Sequence, residues 1–406
     1  MAQLEFQDLS FQEEETKVKV NFLNLFYFYI DKKLLNKISD FDVNTNSINF
    51  ENINEESVRR KFHMLLEKGF QNLTNRISNK KTIYIHKNSQ IPLIGTNYFG
   101  LVDRGTNLIE IKPITSCNLG CIYCSVDEGP KSRRKVDFVV EKDYIVEEFK
   151  KIVEFKGVDN IDAHINAQGE PFLYADLIPL VKDIDSIKQV KVISIDTNGT
   201  FLNKEMVDKL AVAGLTRINL SLNALDQKIA DKMAGFPYNL KKVMEIAAYI
   251  PKTKIDLLIA PVWLPGYNDN ELVKLAKFAN KVGAGKKCPG IGIQSFLPYK
   301  FGRNPVKPLS LDVFYKRLKE MENKHNIKLI YDKEDFEVVD VKGLVKPFKK
   351  GQIIEAEIAF PGRLKNEMIS KASNRLISIP NCFKEKGLVK IKIKRSKHNI
   401  FLGEIV

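Results

Sequence analysis

The sequence predicts an α/β protein in which six β-then-α units lie between an N-terminal α+β extension and a small C-terminal β-barrel. Three observations predict this fold class. The chain has 406 residues, which suits two or three domains. Apolar strand-like runs alternate with charged helical stretches through its middle. After about residue 341 only short strands with alternating faces follow. We therefore divide the chain into 1–104, 105–335 and 341–406.

The N-terminal extension, residues 1–104, has the weakest pattern. It mixes a helix-like segment, NEESVRRKFHMLLEKGF, with short strand-like runs such as TIYIH. No repeat or low-complexity linker separates it from the rest of the chain. We therefore predict an α+β extension to the central domain.

The central segment repeats one pattern, in which an apolar strand is followed by a charged helix. This alternation predicts a parallel sheet with helices packed outside it, whether the units close partly into a barrel or stay open. In either arrangement ligands gather at the carboxyl ends of the strands. The six units are LIEIKPI with KDYIVEEFKKIVEFK, IDAHINA with DLIPLVKDIDSI, VKVISIDT with KEMVDKLAVAG, RINLSLNA with NLKKVMEIAAYI, IDLLIAPVWL with NELVKLAKFANKVG, and GIGIQSFLPY with LDVFYKRLKEMENKH.

The C-terminal segment reads as four strands, GQIIEAEIAF, RLISIP, GLVKIKIKR and NIFLGEIV, and as a small β-barrel. It also holds most of the excess positive charge. The whole chain carries +14, and residues 341–406 contain fifteen Lys or Arg against five Glu and no Asp. A phosphate-rich partner would explain this charge, and so would a lysine-rich surface kept for solubility or heat stability.

Composition excludes several classes of protein. No apolar run is long enough to cross a membrane, and the acidic Glu13, Glu14 and Glu15 precede the first apolar stretch, unlike in a signal peptide. Five cysteines in 406 residues do not make a disulfide framework. The sequence therefore predicts a cytoplasmic protein with no membrane partner.

Three of the five cysteines form one cluster, CNLGCIYC, with Cys117, Cys121 and Cys124 spaced as CxxxCxxC. Three thiolates are one short of the four that usually hold an iron–sulfur cluster or a structural zinc ion. On a four-iron cluster they would leave one iron open to another ligand. The alternatives are a zinc site completed by a distant residue, or three incidental buried cysteines. Cys288 and Cys382 are too far apart to form a second cluster and are expected to be small buried side chains.

The cysteine cluster after the first strand resembles the signature of the radical S-adenosylmethionine (SAM) enzymes. The whole layout resembles the predicted iron–sulfur oxidoreductases of archaea. The resemblance covers about residues 105–310 and implies a partial (β/α)6 radical SAM barrel. It implies that Cys117, Cys121 and Cys124 hold a [4Fe–4S] cluster whose open iron SAM chelates. An electron donor would then drive cleavage of SAM to methionine and a 5′-deoxyadenosyl radical, which abstracts hydrogen from the substrate.

Further motifs of the family fall at successive strand ends. QGEP resembles the GGEP motif that holds the SAM ammonium group, with Gln168 in place of the first glycine. TNGT and SLNALD resemble segments near SAM, and Asn223 stands where many relatives have Asp. Taken alone, each motif also suits a polar loop. The cofactor-binding residues that the resemblance implies are Tyr123, Gly169, Glu170, Thr197, Asn198, Ser221 and Asn223. It singles out no catalytic side chain.

Four other residues leave their roles open at this stage. Trp263, in APVWLPGYND, could stack on adenine or substrate, or pack against a helix. Lys300 and Arg303 follow the sixth strand, where they could bind a phosphate or belong to the solvated surface. His164 lies on the second strand near QGEP and is expected to be a packed histidine.

The C-terminal segment resembles the TRAM-type or OB-like β-barrel that several RNA-modifying enzymes use to bind tRNA. Its charge gives separate support, because phosphate contacts supply much of nonspecific nucleic-acid affinity. Its aromatic residues, Phe360, Phe383 and Phe401, are few, which favours recognition of backbone and shape over base stacking. The candidate RNA-binding residues are Lys349, Lys350, Arg363, Lys365, Arg375, Lys392, Lys394 and Arg395.

The sequence therefore predicts a radical SAM enzyme that modifies RNA, in particular tRNA, at a carbon atom that lacks activation. Two alternatives stay open. The enzyme could act on a protein, a lipid or a small molecule. The chain could instead be a nucleic-acid-binding protein whose cysteines hold zinc.

Overall fold

The computed structural model describes residues 2–406, and residues 2–85 form an α+β unit. Its elements are β1 (Ala2–Glu5), β2 (Leu9–Glu13), β3 (Lys17–Phe22), β4 (Phe26–Asp31), α1 (Lys32–Asn36), β5 (Phe41–Val43), β6 (Ser47–Phe50), α2 (Glu55–Phe70), β7 (Thr74–Asn75) and β8 (Lys81–Ile85). Strands β1, β6 and β5 make a small antiparallel sheet. Helix α2 is capped by Asn54, which accepts a hydrogen bond from the Ser57 N–H, and it packs on β1 and β4.

The central segment contains the expected alternation of strands and helices, and its sheet also takes in β9, which lies within the predicted extension 1–104. Its elements are β9 (Gly100–Asp103), β10 (Leu108–Lys112), β11 (Thr115–Ser116), β12 (Val136–Val140), α3 (Lys142–Lys156), β13 (Ile161–Ile165), β14 (Gln168–Gly169), α4 (Leu177–Asp185), β15 (Val190–Thr197), α5 (Lys204–Ala213), β16 (Arg217–Leu220), α6 (Gln227–Ala234), α7 (Leu240–Tyr249), β17 (Asp256–Ile259), β18 (Val262–Trp263), α8 (Leu272–Val282), β19 (Gln294–Ser295) and α9 (Leu311–His325).

The central sheet has the order β17-β16-β15-β13-β10-β9, in which all neighbours are parallel except the antiparallel edge strand β9. The sixth unit is irregular. It meets β17 through a single parallel bridge, Ile259 to Ile291, and through the pairing of β18 with β19. Because side chains alternate along a strand, Ile109 and Ile111 join the apolar core while Glu110 lies on the opposite face.

The stretch between the cysteine cluster and α3 holds a strand that the sequence pattern did not predict. It contains β12, a completely buried strand that pairs in parallel with β8. The second N-terminal sheet therefore has the order β12-β8-β7-β4-β3-β2, and one of its strands comes from the central segment. This pairing ties the N-terminal unit to the segment that follows the cysteines.

The C-terminal segment is a closed five-stranded barrel, as predicted, with one strand more than the sequence pattern showed. Its strands are β20 (Ile353–Pro361), β21 (Glu367–Ala372), β22 (Arg375–Pro380), β23 (Gly387–Arg395) and β24 (Leu402–Ile405), in the order β20-β21-β22-β24-β23. Strand β24 lies between β22 and β23, parallel to the first and antiparallel to the second. In β23 Val389, Ile391 and Ile393 face inward and alternate with exposed lysines.

The barrel packs on the rest of the chain rather than hanging from a linker. Most of its core is its own, but Phe360, Ile369 and Leu376 belong to the large core that the N-terminal and central segments share. The Leu376 N–H donates to the Ile94 carbonyl, and the Phe401 N–H donates to the Gly95 carbonyl. Among residues 2–406, no helix is long and apolar enough to span a membrane.

Candidate active site

A cavity of about 370 Å³ opens at the carboxyl ends of the central strands. It brings together the sequence-predicted metal ligands and all of the predicted cofactor-binding residues. Those that line it are Cys117, Cys121, Cys124, Tyr123, Gly169, Glu170, Thr197, Asn198, Ser221 and Asn223. These residues come from four segments that are distant in sequence, and they meet here because parallel strands present their carboxyl ends at one edge.

Two short strands hold the cysteine loop against the QGEP motif. Strand β11 pairs in parallel with β14, so that Ser116 lies opposite Gly169, and the Glu170 N–H donates to the Ser116 carbonyl at 2.7 Å. Gly169 has a φ of +150°, and a Cβ atom there would lie 1.7 Å from the Ser116 oxygen. Only glycine fits this position, which explains why the motif has Gly before its Glu.

The three thiols are largely buried, and backbone N–H groups point at two of their sulfur atoms. The Leu119 N–H lies 3.5 Å from Cys117 Sγ, and the Glu128 N–H lies 3.3 Å from Cys124 Sγ. Burial and the neighbouring thiol raise the pKa of Cys121 to about 12, and burial raises the pKa of Cys117 and Cys124. Without a cation the thiols therefore keep their protons, and metal binding has to displace them.

Glu170 is the buried carboxylate of the cavity. It accepts hydrogen bonds from Thr197 Oγ1 at 2.7 Å and from the Asn198 N–H at 2.8 Å. Burial raises the pKa of Glu170 to about 7, although these donors favour the charged form. The group gains a proton as the pH falls through about 7, so its capacity to pair with an ammonium group is greatest above that pH.

The two asparagines of the cavity link the cysteine loop to its neighbours. Asn198 Nδ2 donates to Asn118 Oδ1 at 3.0 Å and lies 3.9 Å from Cys117 Sγ. Asn223 Nδ2 donates to the Tyr123 hydroxyl at 2.7 Å, and its Oδ1 accepts from the Val262 N–H at 2.9 Å. A hydrogen bond thus joins Tyr123 and Asn223, which both line the cavity.

Asp196, which the sequence analysis did not single out, lines the cavity and belongs to a polar network with His164. His164 lies between Ser194, 2.9 Å from its Nδ1, and Asp196, 3.3 Å from its Nε2. Burial alone would raise the pKa of Asp196, but His164 and Asn219 outweigh it and hold that pKa below its usual range. Asp196 lines the cavity beside Thr197. The sequence of β15 does contain a signal for Asp196: polar and apolar residues alternate along the strand, and Ile193 and Ile195 lie on the face opposite Asp196.

Trp263 and Arg303, which could have contacted a ligand, support the fold instead. Trp263 is buried, packs on Phe314 of α9, and donates from its indole N–H to Asp269 at 3.0 Å, so it does not face the cavity. Arg303 donates to Asp127 and to the carbonyls of Cys121 and Glu128, at 2.8 to 2.9 Å. It therefore braces the cysteine loop instead of offering a free cation to a phosphate.

Arg363 corrects one of the RNA-binding predictions. Its side chain, in the β20–β21 turn, is completely buried, so it cannot contact an RNA phosphate. Its guanidinium pairs with Glu128 and, at 3.0 Å, with Asp137 of β12, and it donates to the Val136 carbonyl. Glu128 is the residue whose N–H points at Cys124 Sγ. One buried arginine thus connects the barrel to the cysteine loop.

The other candidate RNA-binding residues are distributed over the barrel. Lys349, Lys350, Lys365, Lys392, Lys394 and Arg395 are exposed. Arg375 is half-buried and donates to the carbonyls of Asn374 and Val345. Five cations line one shallow depression, and we call them the basic cluster: Lys346, Lys350, Lys394, Arg395 and Lys397. Lys346 and Lys397 were not among the predicted residues; Lys397 lies just after β23 in sequence, whereas only the fold brings Lys346 next to it.

The other two cysteines were expected to be small buried side chains, which is right for Cys382 but not for Cys288, which is half-buried; neither lines the cavity. Cys382 is buried in the barrel core. Cys288 lies 3.4 Å from Asp256, and burial raises its pKa to about 12. Within residues 2–406, no three His, Cys, Asp or Glu side chains converge closely enough for a single metal ion. The three clustered thiols instead line a shared cavity.

Comparison with known proteins identifies the family. Residues 111–279 match the model of the radical SAM superfamily. The chain is 42% identical over 361 residues to the uncharacterized protein MJ0103 of Methanocaldococcus jannaschii, covering 82% of this chain and 83% of that protein. The chain belongs to the radical SAM superfamily.

Other radical SAM relatives share less of their length with this chain. The GTP 3′,8-cyclase of Aquifex aeolicus is 28% identical over 186 residues, which are 45% of this chain and 55% of the cyclase. Among solved structures, SuiB of Streptococcus suis bound to SAM is 15% identical, with a TM-score of 0.43, over 81% of this chain and 72% of that one.

The cofactors of this radical SAM protein are a [4Fe–4S] cluster and SAM, and the residues present fit them. Three partly buried thiols share one cavity, and N–H groups point at two of the sulfur atoms, as is usual around iron–sulfur clusters. Cys117, Cys121 and Cys124 would hold the cluster. The Glu170 carboxylate, fixed by two donors, would hold the SAM ammonium group.

Proposed function

We propose that this radical SAM enzyme modifies RNA, with tRNA as the expected class, and that the C-terminal barrel holds the RNA. The observation that carries the proposal is the basic cluster, which lies on a barrel fixed to the cysteine loop. Phosphate groups are the partners that such a surface attracts most strongly. The TRAM-type or OB-like character of the barrel and the cytoplasmic location remain predictions from the sequence.

The electrostatic environment of His398 supports the basic cluster as an anion site. This residue follows Lys397 directly, and its pKa is lowered by partial burial and by the positive charges of Arg104, Lys397, Lys346 and Arg395. Cations that repel a proton this way also attract phosphate groups. Four positive charges therefore act together at this part of the barrel.

In this proposal the cavity and the barrel have separate roles. When bound, the cluster and SAM supply a 5′-deoxyadenosyl radical, which can take a hydrogen atom from an unactivated carbon. The walls of the cavity shield the reacting groups from water, and Asp196 presents a carboxylate to whatever enters. The barrel would supply affinity for the RNA backbone, and the cavity would select the modified atom.

A small molecule, protein or lipid is the alternative substrate. Relatives named GTP 3′,8-cyclase give the small-molecule reading some support, but the chain covers only about half of their length. Zinc binding alone is the remaining alternative. Anaerobic reconstitution separates it from the enzyme, because four irons per chain and reductant-dependent 5′-deoxyadenosine are expected only of a radical SAM protein.

Charge reversal in the basic cluster tests RNA binding better than deletion of the barrel, which would expose the shared core. We expect Lys350→Glu, Arg395→Glu and Lys397→Glu together to weaken tRNA binding at least about tenfold at 0.15 M salt. The dependence of log affinity on log salt should become shallower by about two or more, because phosphate contacts are lost. Filter binding over a salt series measures both quantities.

A matched control is Lys241→Glu, Lys277→Glu and Lys281→Glu, which reverses three exposed lysines of α7 and α8. It changes the net charge equally and should retain most of the affinity. Equal losses in the two triple variants would mean that only the overall charge matters. The barrel would then have no special role in holding RNA.

A further inference from the structure

The rim of the cavity carries an exposed loop of aromatic and basic residues, which we call the mouth loop, residues 297–301, Leu-Pro-Tyr-Lys-Phe. All five residues are exposed. Tyr299 is 49% exposed, Phe301 is 43% exposed and Leu297 is 48% exposed, and Leu297 and Tyr299 also line the cavity. Large exposed apolar side chains grouped at a cavity entrance mark a candidate binding surface.

The base of the mouth loop is fixed to the cysteine loop, and the Tyr299 backbone is hydrogen-bonded to Asn304 and Gly302. The Arg303 N–H donates to the Cys124 carbonyl at 2.9 Å, and Arg134 donates to the Phe301 carbonyl at 3.0 Å. Gly302 approaches so closely that a Cβ atom there would lie 2.8 Å from the Ser125 oxygen. The two rings are therefore held at a set distance from the cluster-binding thiols.

The segment of the chain that contains the mouth loop carries only positive charges. Residues 272–311 contain no Asp or Glu, and Lys300 and Lys307 are exposed. Within the described residues neither lysine forms an ion pair, and Lys300 Nζ lies 5.2 Å from the centre of the Phe301 ring. Exposed rings interleaved with lysine are the pattern by which proteins bind single-stranded nucleic acid.

We propose that the mouth loop binds unpaired RNA bases, with Tyr299 and Phe301 stacking on bases and Lys300 contacting a neighbouring phosphate. This inference rests on the proposed RNA function and specifies how the target nucleotide reaches the cavity. A base within a duplex cannot reach a cavity of about 370 Å³, so the target nucleotide must leave its stack. The rings replace the stacking that the base and its neighbours lose.

The test compares binding of a mixed-sequence single-stranded RNA of twelve nucleotides with binding of the same sequence as a duplex. Tyr299→Leu with Phe301→Leu keeps apolar bulk but removes both rings. We expect at least about a tenfold loss of affinity for the single strand, with an unchanged salt slope and little effect on the duplex. Lys300→Met should instead lower the salt slope by about 0.7. Tyr29→Leu, an exposed tyrosine of β4, is the control and should change neither quantity.

Photo-cross-linking supplies a second measurement on the unaltered protein. A single-stranded RNA containing 4-thiouridine should attach to Tyr299 or Phe301, located by mass spectrometry. If the leucine variant binds like the wild type and no cross-link falls in 297–301, the mouth-loop inference is wrong. The RNA function would still stand if reversal of the basic cluster weakened binding. Both ideas fail if neither set of changes affects binding, and equal losses for single strand and duplex also contradict stacking.

Discussion

Replacing Arg363 with methionine is expected to lower the free energy of unfolding by about 3–5 kcal/mol, because it leaves two buried carboxylates without their cation. Glu128 and Asp137 are both buried, and the guanidinium that pairs with them comes from the barrel. Urea unfolding of the wild type and variant measures the difference. The barrel should also become more sensitive to protease, because this pair fixes the β20–β21 turn.

The pH dependence of this loss has a defined sign. Burial raises the pKa of Glu128 even with Arg363 in place, and without the arginine that pKa rises further. A carboxyl whose pKa is higher in the folded state destabilises the protein as the pH rises above the pKa of the unfolded chain. The loss in free energy of unfolding caused by Arg363→Met should therefore be smaller at pH 5 than at pH 7.5.

Two further variants separate the ion pair from a general effect of mutation. Lys365→Met removes an exposed cation two residues away and should change the stability by less than about 0.5 kcal/mol. Adding Glu128→Gln to the Arg363 variant should restore part of the loss, because one unpaired charge disappears. An Arg363 variant as stable as the wild type at pH 7.5 would show that the buried pair does not hold the barrel in place.

Replacing any one of Cys117, Cys121 and Cys124 with alanine is expected to abolish cluster binding. The site has no spare thiol, since Cys288 and Cys382 lie elsewhere in the fold. Iron content after anaerobic reconstitution should fall from about four per chain to near zero. The broad visible absorbance should disappear with it, and so should the reductant-dependent formation of 5′-deoxyadenosine.

The two remaining cysteines provide the matched control. Cys288→Ala and Cys382→Ala each remove one thiol from the same chain, and both variants should keep full iron content. Their circular dichroism and melting curves show whether any loss comes from misfolding. If an alanine variant of the clustered cysteines still held four irons, the proposed ligand set would be wrong.

The sequence was a good guide to the cavity because the cavity follows from local rules. Strand and helix periodicities predict a parallel sheet, and parallel strands place their carboxyl ends together. Short motifs at successive strand ends therefore had to meet. Thus Cys117, Glu170 and Asn198, 28 or more residues apart in sequence, were expected at one site, and the structure brings them together.

The sequence was a poor guide where a long-range contact decides a residue's role. Arg363 looks like any other cation of a basic segment, and only the packing of the barrel shows that it is buried against Glu128, 235 residues away. Strand β12 likewise pairs with β8, which is distant in sequence, and not with a neighbouring strand of the central segment. Strand β21 was missed because its sequence, EMISKA, carries no clear alternation of apolar and polar residues.

The central claim is that RNA is the substrate, and RNA-dependent turnover tests it most directly. The reconstituted holoenzyme is incubated anaerobically with SAM, a chemical reductant and unmodified tRNA, and both 5′-deoxyadenosine and the digested nucleosides are measured by mass spectrometry. We expect tRNA to stimulate 5′-deoxyadenosine formation and one nucleoside to change mass, with both effects lost when the basic cluster is reversed. A rate that tRNA does not change, together with unaltered nucleosides, would contradict the claim.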